Sequence, residues 1–142
     1  MSDQAANGTS LDIGEIINYE GLYTVDILDP RTEEPLGVKV TLRSAGSAKA
    51  KKVLRAHQKE RLERFQRNKL NVDVEKMEKQ EEERVASCIE HWDWGSHTYK
   101  GEKPENTMRW YLRLMNEQPW FFNQCKEAAE KPENFPGNSA TS

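Results

Sequence analysis

The residues whose chemistry might define this chain are few and far apart. Cys88, His91 and His97 come closest to a metal-ligand set, one thiol and two imidazoles within ten residues. A structural zinc needs a fourth ligand at comparable spacing, and the remaining His57 and Cys125 lie well to either side. There is no glycine-rich phosphate loop, no nucleophile elbow and no HExxH pair. Serine and threonine gather at the chain ends and in turn-like stretches, which leaves a hydrolytic triad without an anchor. The expectation is a protein with no catalytic residues, no cofactor and no metal, whose work is binding.

Charge is patterned more sharply than nucleophiles. Arg43 to Lys69 holds ten Lys/Arg and two Glu, and Asp73 to Asp93 holds eight acidic and three basic residues. A basic helix can follow a phosphate backbone, so nucleic acid is one reading. That stretch carries a single aromatic, Phe65, and the acidic stretch follows directly. A solvated surface or mutual pairing of the two, within a chain or head-to-tail between copies, is a second reading, and an electrostatic site for a protein partner is a third. Arg61, Arg64 and Arg67 are the candidates for self-association.

All four tryptophans, Trp92, Trp94, Trp110 and Trp120, fall in one short region together with Tyr99, Tyr111, Phe121 and Phe122. Trp92 and Tyr111 lie on apolar helical stripes and are expected in the core. Trp94, Trp110 and Trp120 fall off those stripes. Exposed aromatics bury much area on binding at low entropic cost, so Trp94, Trp110, Trp120 and Phe122 are candidate partner anchors. A chain poor in aliphatic residues would also build its core from such side chains, and the sequence leaves both readings open.

The elements that must position these residues follow from periodicity. Leu22 to Leu28 and Val38 to Arg43 alternate apolar and polar residues, the pattern of half-buried strands. The intervening loop has two prolines and a glycine, suited to an antiparallel pair. Ser44 or Ser47 can cap a helix running to about Leu70, with a break near Asn68 to Asp73. A second helix is predicted to about Trp92, because Val85, Cys88, Ile89 and Trp92 are spaced i, i+3, i+4, i+7. Two more are predicted, over Asn106 to Met115 and over Gln118 to Glu130, the latter with Pro119 in its first turn. The fold class is α+β, a small N-terminal antiparallel hairpin or meander followed by about four helices. Residues 21–130 form the domain, 1–20 a flexible tail and 131–142 a disordered one, with Leu11 to Glu20 readable as a helical turn or a short strand.

Composition bounds the class. The 142 residues carry a net charge of −3 and 32% charged side chains, with a mean hydropathy of −0.95. That is one domain with a small core, whose stability gains from surface buried against a partner. No apolar run approaches the length of a membrane span, and Met1 to Ser10 lacks a signal-peptide pattern. Two cysteines are too few for a disulfide scaffold and are expected as buried thiols.

Several of these segments together resemble a known family. Ser87 to Ala129, SCIEHWDWGSHTYKGEKPENTMRWYLRLMNEQPWFFNQCKEAA, is similar to the tail assembly chaperones of long-tailed bacteriophages. The likeness rests on an acidic-X-Trp turn at a helix end (Glu90 to Trp92), a loop with Gly101, a helix begun by a Pro-Glu-Asn context, and an aromatic start to the last helix at Pro119 and Trp120. The strand pair over Tyr23 to Arg43 before a charged helix also fits, so the resemblance covers roughly residues 20 to 130. It implies a non-enzymatic factor in the host cytoplasm that coats the tape-measure protein, keeps it soluble, recruits tail tube protein and leaves before the particle is finished. Such chaperones often exist in a second, frameshifted form, and the polar ending NFPGNSATS suits the short one. A minor tail or head–tail structural protein, or a small nucleic-acid-binding regulator, are the alternatives.

Overall fold

A computed structural model describes residues 10–67 and 73–137. Met1 to Thr9, the break around Asn68 and the last five residues lie outside the described residues. The two alternating segments form strands β1 (Leu22–Leu28) and β2 (Pro35–Arg43), paired antiparallel with Tyr23 opposite Leu42 and Val25 opposite Val40. Their apolar rows put Ile27, Val38, Val40 and Leu42 into the core. On the other face Thr24 and Thr41 share a hydroxyl hydrogen bond of 2.9 Å.

Helix α1 (Ala48–Gln66) follows, with the Ser47 hydroxyl accepting from the Ala50 amide. Helix α2 (Val74–Cys88) is capped the same way by Asp73 on Lys76 N–H. The predicted run of α2 to Trp92 is not what forms. The chain turns extended at Ile89, and Ile89–Asp93 becomes strand β3, antiparallel to β2 with Ile89 opposite Leu42 and Trp92 opposite Val40. The register slips between Thr41 and Leu42. This irregularity lets Ile89 and Trp92, three residues apart, both face inward, as they would on a helix. Glu90 to Trp92 is therefore strand rather than a turn at a helix end.

Helices α3 (Met108–Glu117), capped by Thr107, and α4 (Pro119–Glu130), begun by Pro119, complete an α+β fold with sheet order β1-β2-β3. The α1–α2 hairpin is inserted between β2 and β3. Helix α1 packs chiefly on α2, α2 also contacts α3 and α4, and α4 lies on β1 and β2. Tyr111, Leu114, Met115, Phe121, Cys125 and Ala128 meet the sheet residues in one core. Arg84 joins α2 to α4, reaching Glu81 at 2.5 Å and Glu130 at 2.8 Å.

Both outer edges of the sheet are closed by a side-chain amide. On β1, Gln124 Oε1 accepts from Leu28 N–H at 2.8 Å and its Nε2 donates to Leu28 C=O at 2.9 Å. On β3, Asn106 Oδ1 accepts from Trp92 N–H at 2.7 Å and its Nδ2 donates to Trp92 C=O at 3.2 Å. Each amide imitates one rung of a further strand, which blunts an edge otherwise open to pairing.

Two stretches expected to be mobile are folded against each other. Ile13–Glu15 and Pro132–Asn134 are single 3-10 turns. Asn18 N–H donates to Phe135 C=O, Gly137 N–H donates to Ile16 C=O, and Ile17 bridges Pro136. Phe135 is 1% exposed and meets Tyr23 edge-on at 6.3 Å. Burial of this one aromatic anchors a segment that composition alone reads as a tail. At Gly137 a Cβ would run into the Glu15 carbonyl, so the close crossing needs a glycine there.

Candidate partner-binding surfaces

The tryptophan cluster divides between core and surface. Trp92 sits at its centre, edge-on to Tyr111 at 4.7 Å and to Trp94 at 5.5 Å, with its indole N–H donating to Glu105 C=O. Trp94, expected as a partner anchor, is only 8% exposed and lies nearly parallel to Phe121, with centroids 5.9 Å apart. Two residues beyond Trp92 and just past the end of β3, it falls on the same face of the extended chain as Trp92, which lays its ring on α4. Its indole N–H is buried with no hydrogen-bond partner among the described residues. Trp94 is a core residue.

The other three anchors are half-buried. Trp110 has a face covered by Arg113, whose guanidinium lies 4.8 Å from that ring and 5.2 Å from Tyr99. Arg113 is held there by Glu102 and Glu117, so the aromatic-cation-aromatic stack is fixed from both sides. Trp120 donates its indole N–H to Gln118 and packs its edge on Phe121. Phe122 packs against the core and keeps part of its ring at the surface.

The charged helices do fold back on each other, yet among the described residues no Lys or Arg of α1 pairs with an acidic residue of α2. Among the described residues the ion pair across the hairpin is Lys76 with Glu60, and the His57 ring lies 3.6 Å from the Glu83 carboxylate. The first uses the minority charge of each helix, and its cation holds the Glu60 carboxyl below the usual range. Of the self-association candidates, Arg61 lines the α1–α2 cleft with Leu54, Met77 and Arg84. Arg64 is half-buried on that inward side, and Arg67 ends the helix. They do not share one outward face.

Two features of this hairpin escaped the sequence reading. The apolar residues at its free end stay outside: Leu62 and Val74 are exposed, Phe65 is 65% exposed and Met77 47%. Also, Lys52, Arg55 and Lys59 point away from α2, while Glu75, Glu78 and Glu82 line a groove between α2 and α3 with Leu112 and Asn116. The i, i+3, i+7 spacing of both triplets was available in the sequence; which side faces solvent was not.

Among the described residues no cluster of three His, Cys, Asp or Glu side chains has metal-site geometry, and no helix is long and apolar enough to cross a membrane. Cys88 and Cys125 are buried free thiols. Comparison with known proteins finds no matching family model, no matching curated protein and no matching solved structure.

Proposed function

We propose that this chain is a non-enzymatic assembly chaperone of the long-tailed phage type. It holds tape-measure protein soluble in the host cytoplasm, as an assembly of copies, while tail tube subunits are recruited. The observation that supports this reading most is the α1–α2 cleft. Leu54 and Met77 line it between Arg61 and Arg84, and Phe65, one turn beyond Arg61, extends it to the hairpin's free end. Met77 and Phe65, exposed beside the Arg61 guanidinium, suit the apolar face of an amphipathic helix flanked by acidic residues. The half-buried Trp110, Trp120 and Phe122 offer a second contact for tube protein.

Co-expression of the full chain with a tape-measure fragment tests the reading, scored by the soluble fraction of the fragment. The wild-type chain should keep it soluble, and Phe65→Ser with Met77→Ser should lose most of that effect while melting normally. A fragment equally insoluble with and without the chain would sink the proposal.

A further inference from the structure

The outward faces of the hairpin carry rows of opposite charge that form no ion pair among the described residues. On α1, Lys52, Arg55 and Lys59 are exposed on the side away from Ala50, Val53, His57 and Glu60, which face inward. Among the described residues none of these three cations forms an ion pair. On the far side of α2, Glu75, Glu78 and Glu82 follow one another along the groove, with Lys79 as the one cation in its lining. Glu82 accepts a hydrogen bond from Asn116 at 3.3 Å, and none of the three carboxylates meets a cation among the described residues. Each row covers about 10 Å of helix, from the same i, i+3, i+7 spacing and a rise of about 1.5 Å per residue.

We propose that α1 of one copy seats in the α2–α3 groove of the next, row against row, so that copies stack sideways without closing. The proposal rests on the reading of this chain as an assembling protein and names the faces that would do it. Opposite charge at the same i, i+3, i+7 spacing supports a second copy as the occupant. The pairs Lys76 with Glu60 and Glu83 with His57 show that α1 and α2 run antiparallel at fixed relative height. A copy displaced sideways without rotation, and slid along the helix axis by about four residues or roughly 6 Å, brings α1 antiparallel to its neighbour's α2 with the two rows in step. Lys59 then meets Glu75, Arg55 meets Glu78 and Lys52 meets Glu82. The same register carries exposed Leu62 toward exposed Val74, adding apolar burial at the end of the row. The contact joins different surfaces of the two copies, so it propagates into an open array.

The experiment is sedimentation velocity on the full chain at about 0.05 M and about 0.5 M salt, a range over which screening lengths fall several-fold. The wild type should associate at low salt and dissociate at high salt. Lys52→Glu with Arg55→Glu and Lys59→Glu should raise the dissociation constant about tenfold or more, as should Glu75→Lys with Glu78→Lys and Glu82→Lys. Mixed in equal amounts, the two variants should associate again, since each supplies the row the other has lost. Circular dichroism checks that both fold; if one does not, the corresponding Gln triplet replaces it and must still weaken association.

A wild type that associates while both variants do so equally would overturn the inference and leave the chaperone reading to the client-solubility test. A wild type monomeric at low salt would also overturn it. So would association abolished by nuclease and sensitive to the α1 triplet alone, which would make the basic row a phosphate-binding surface.

Discussion

Arg31 clasps Asp29 across two residues of the β1–β2 loop, and the clasp fixes the turn. Asp29 Oδ1 accepts from the Arg31 amide at 2.8 Å and from its Nε at 3.0 Å, and Oδ2 accepts from a terminal guanidinium nitrogen at 2.7 Å. The carboxylate is 12% exposed although its partner lies largely in solvent. The hydrogen bonds from Arg31 lower its pKa from an ordinary 3.8 to about 2. The folded state thus binds fewer protons than the unfolded chain between those values. The stabilisation is complete above about pH 4 and is lost as pH falls through about 2. Asp29→Asn should be less stable than wild type at pH 6, and the gap should shrink as pH drops from 4 to 2 in urea titrations. A gap constant over that window would show that the carboxylate charge is not involved.

Trp94 and Trp110 should part company on truncation. Trp94→Ala removes a buried ring stacked on Phe121 and should cost roughly 3–5 kcal/mol. Trp94→Phe keeps an aromatic in the stack and deletes the unpaired indole N–H, so its cost should be far smaller. Trp110→Ala should cost about 1 kcal/mol, the scale of a partly exposed cation–π contact. Denaturant melts of the three variants check the order, and equal losses for Trp94→Ala and Trp110→Ala would contradict it.

The amides on the sheet edges should act independently. Asn106→Ala strips partners from Trp92 N–H, Trp92 C=O and the Tyr111 hydroxyl, which it also accepts from at 2.8 Å. Gln124→Ala frees Leu28. Each should cost about 1–3 kcal/mol. The double variant should lose the sum within about 0.5 kcal/mol, because the two bridges share no partner. Light scattering should also rise, since an unguarded edge invites pairing with another chain.

The two thiols should be silent in the native protein. Burial pushes Cys88 up to about 11 and drives Cys125 higher still. At pH 8 the reactive thiolate of Cys88 is then about one part in a thousand. Labelling by a disulfide reagent should follow global unfolding and speed up with urea. Rapid labelling of either cysteine in buffer would show that it is reached without unfolding.

Legibility in the sequence tracked how local the deciding interactions are. β1, β2, the Ser47 cap and the inward Phe121, Cys125 and Ala128 of α4 are written in neighbouring residues and form where expected. On α3 the apolar spacing of Met108, Tyr111, Leu112 and Met115 puts only Tyr111 and Met115 fully inside, Met108 being exposed and Leu114 buried. β3 is not written locally, because the slip opposite Thr41 and Leu42 gives Ile89 and Trp92 the spacing of a helix face. Phe135 stands alone among polar residues, and its value as an anchor appears only when Tyr23 lies beneath it. Trp94 looked free because its partner, Phe121, comes from a distant helix. At the candidate surfaces the charges were plain, but that Lys52, Arg55 and Lys59 share the face turned away from α2, while Arg61 lines the cleft, depends on which side of α1 meets α2.

The insertion of the helical hairpin between β2 and β3 sets a timetable for folding. β1 and β2 are close in the chain and can zip early, as can the hairpin from its own local contacts. The third strand pairs only after the whole stretch from Ser44 to Cys88 has been looped out and closed. Such distant pairing slows folding relative to helix formation. On a translating ribosome, Val40 and Leu42 emerge well before Trp92 exists to cover them. During that interval the edge later held by β3 is open, and the nascent chain is most exposed to mispairing with its neighbours.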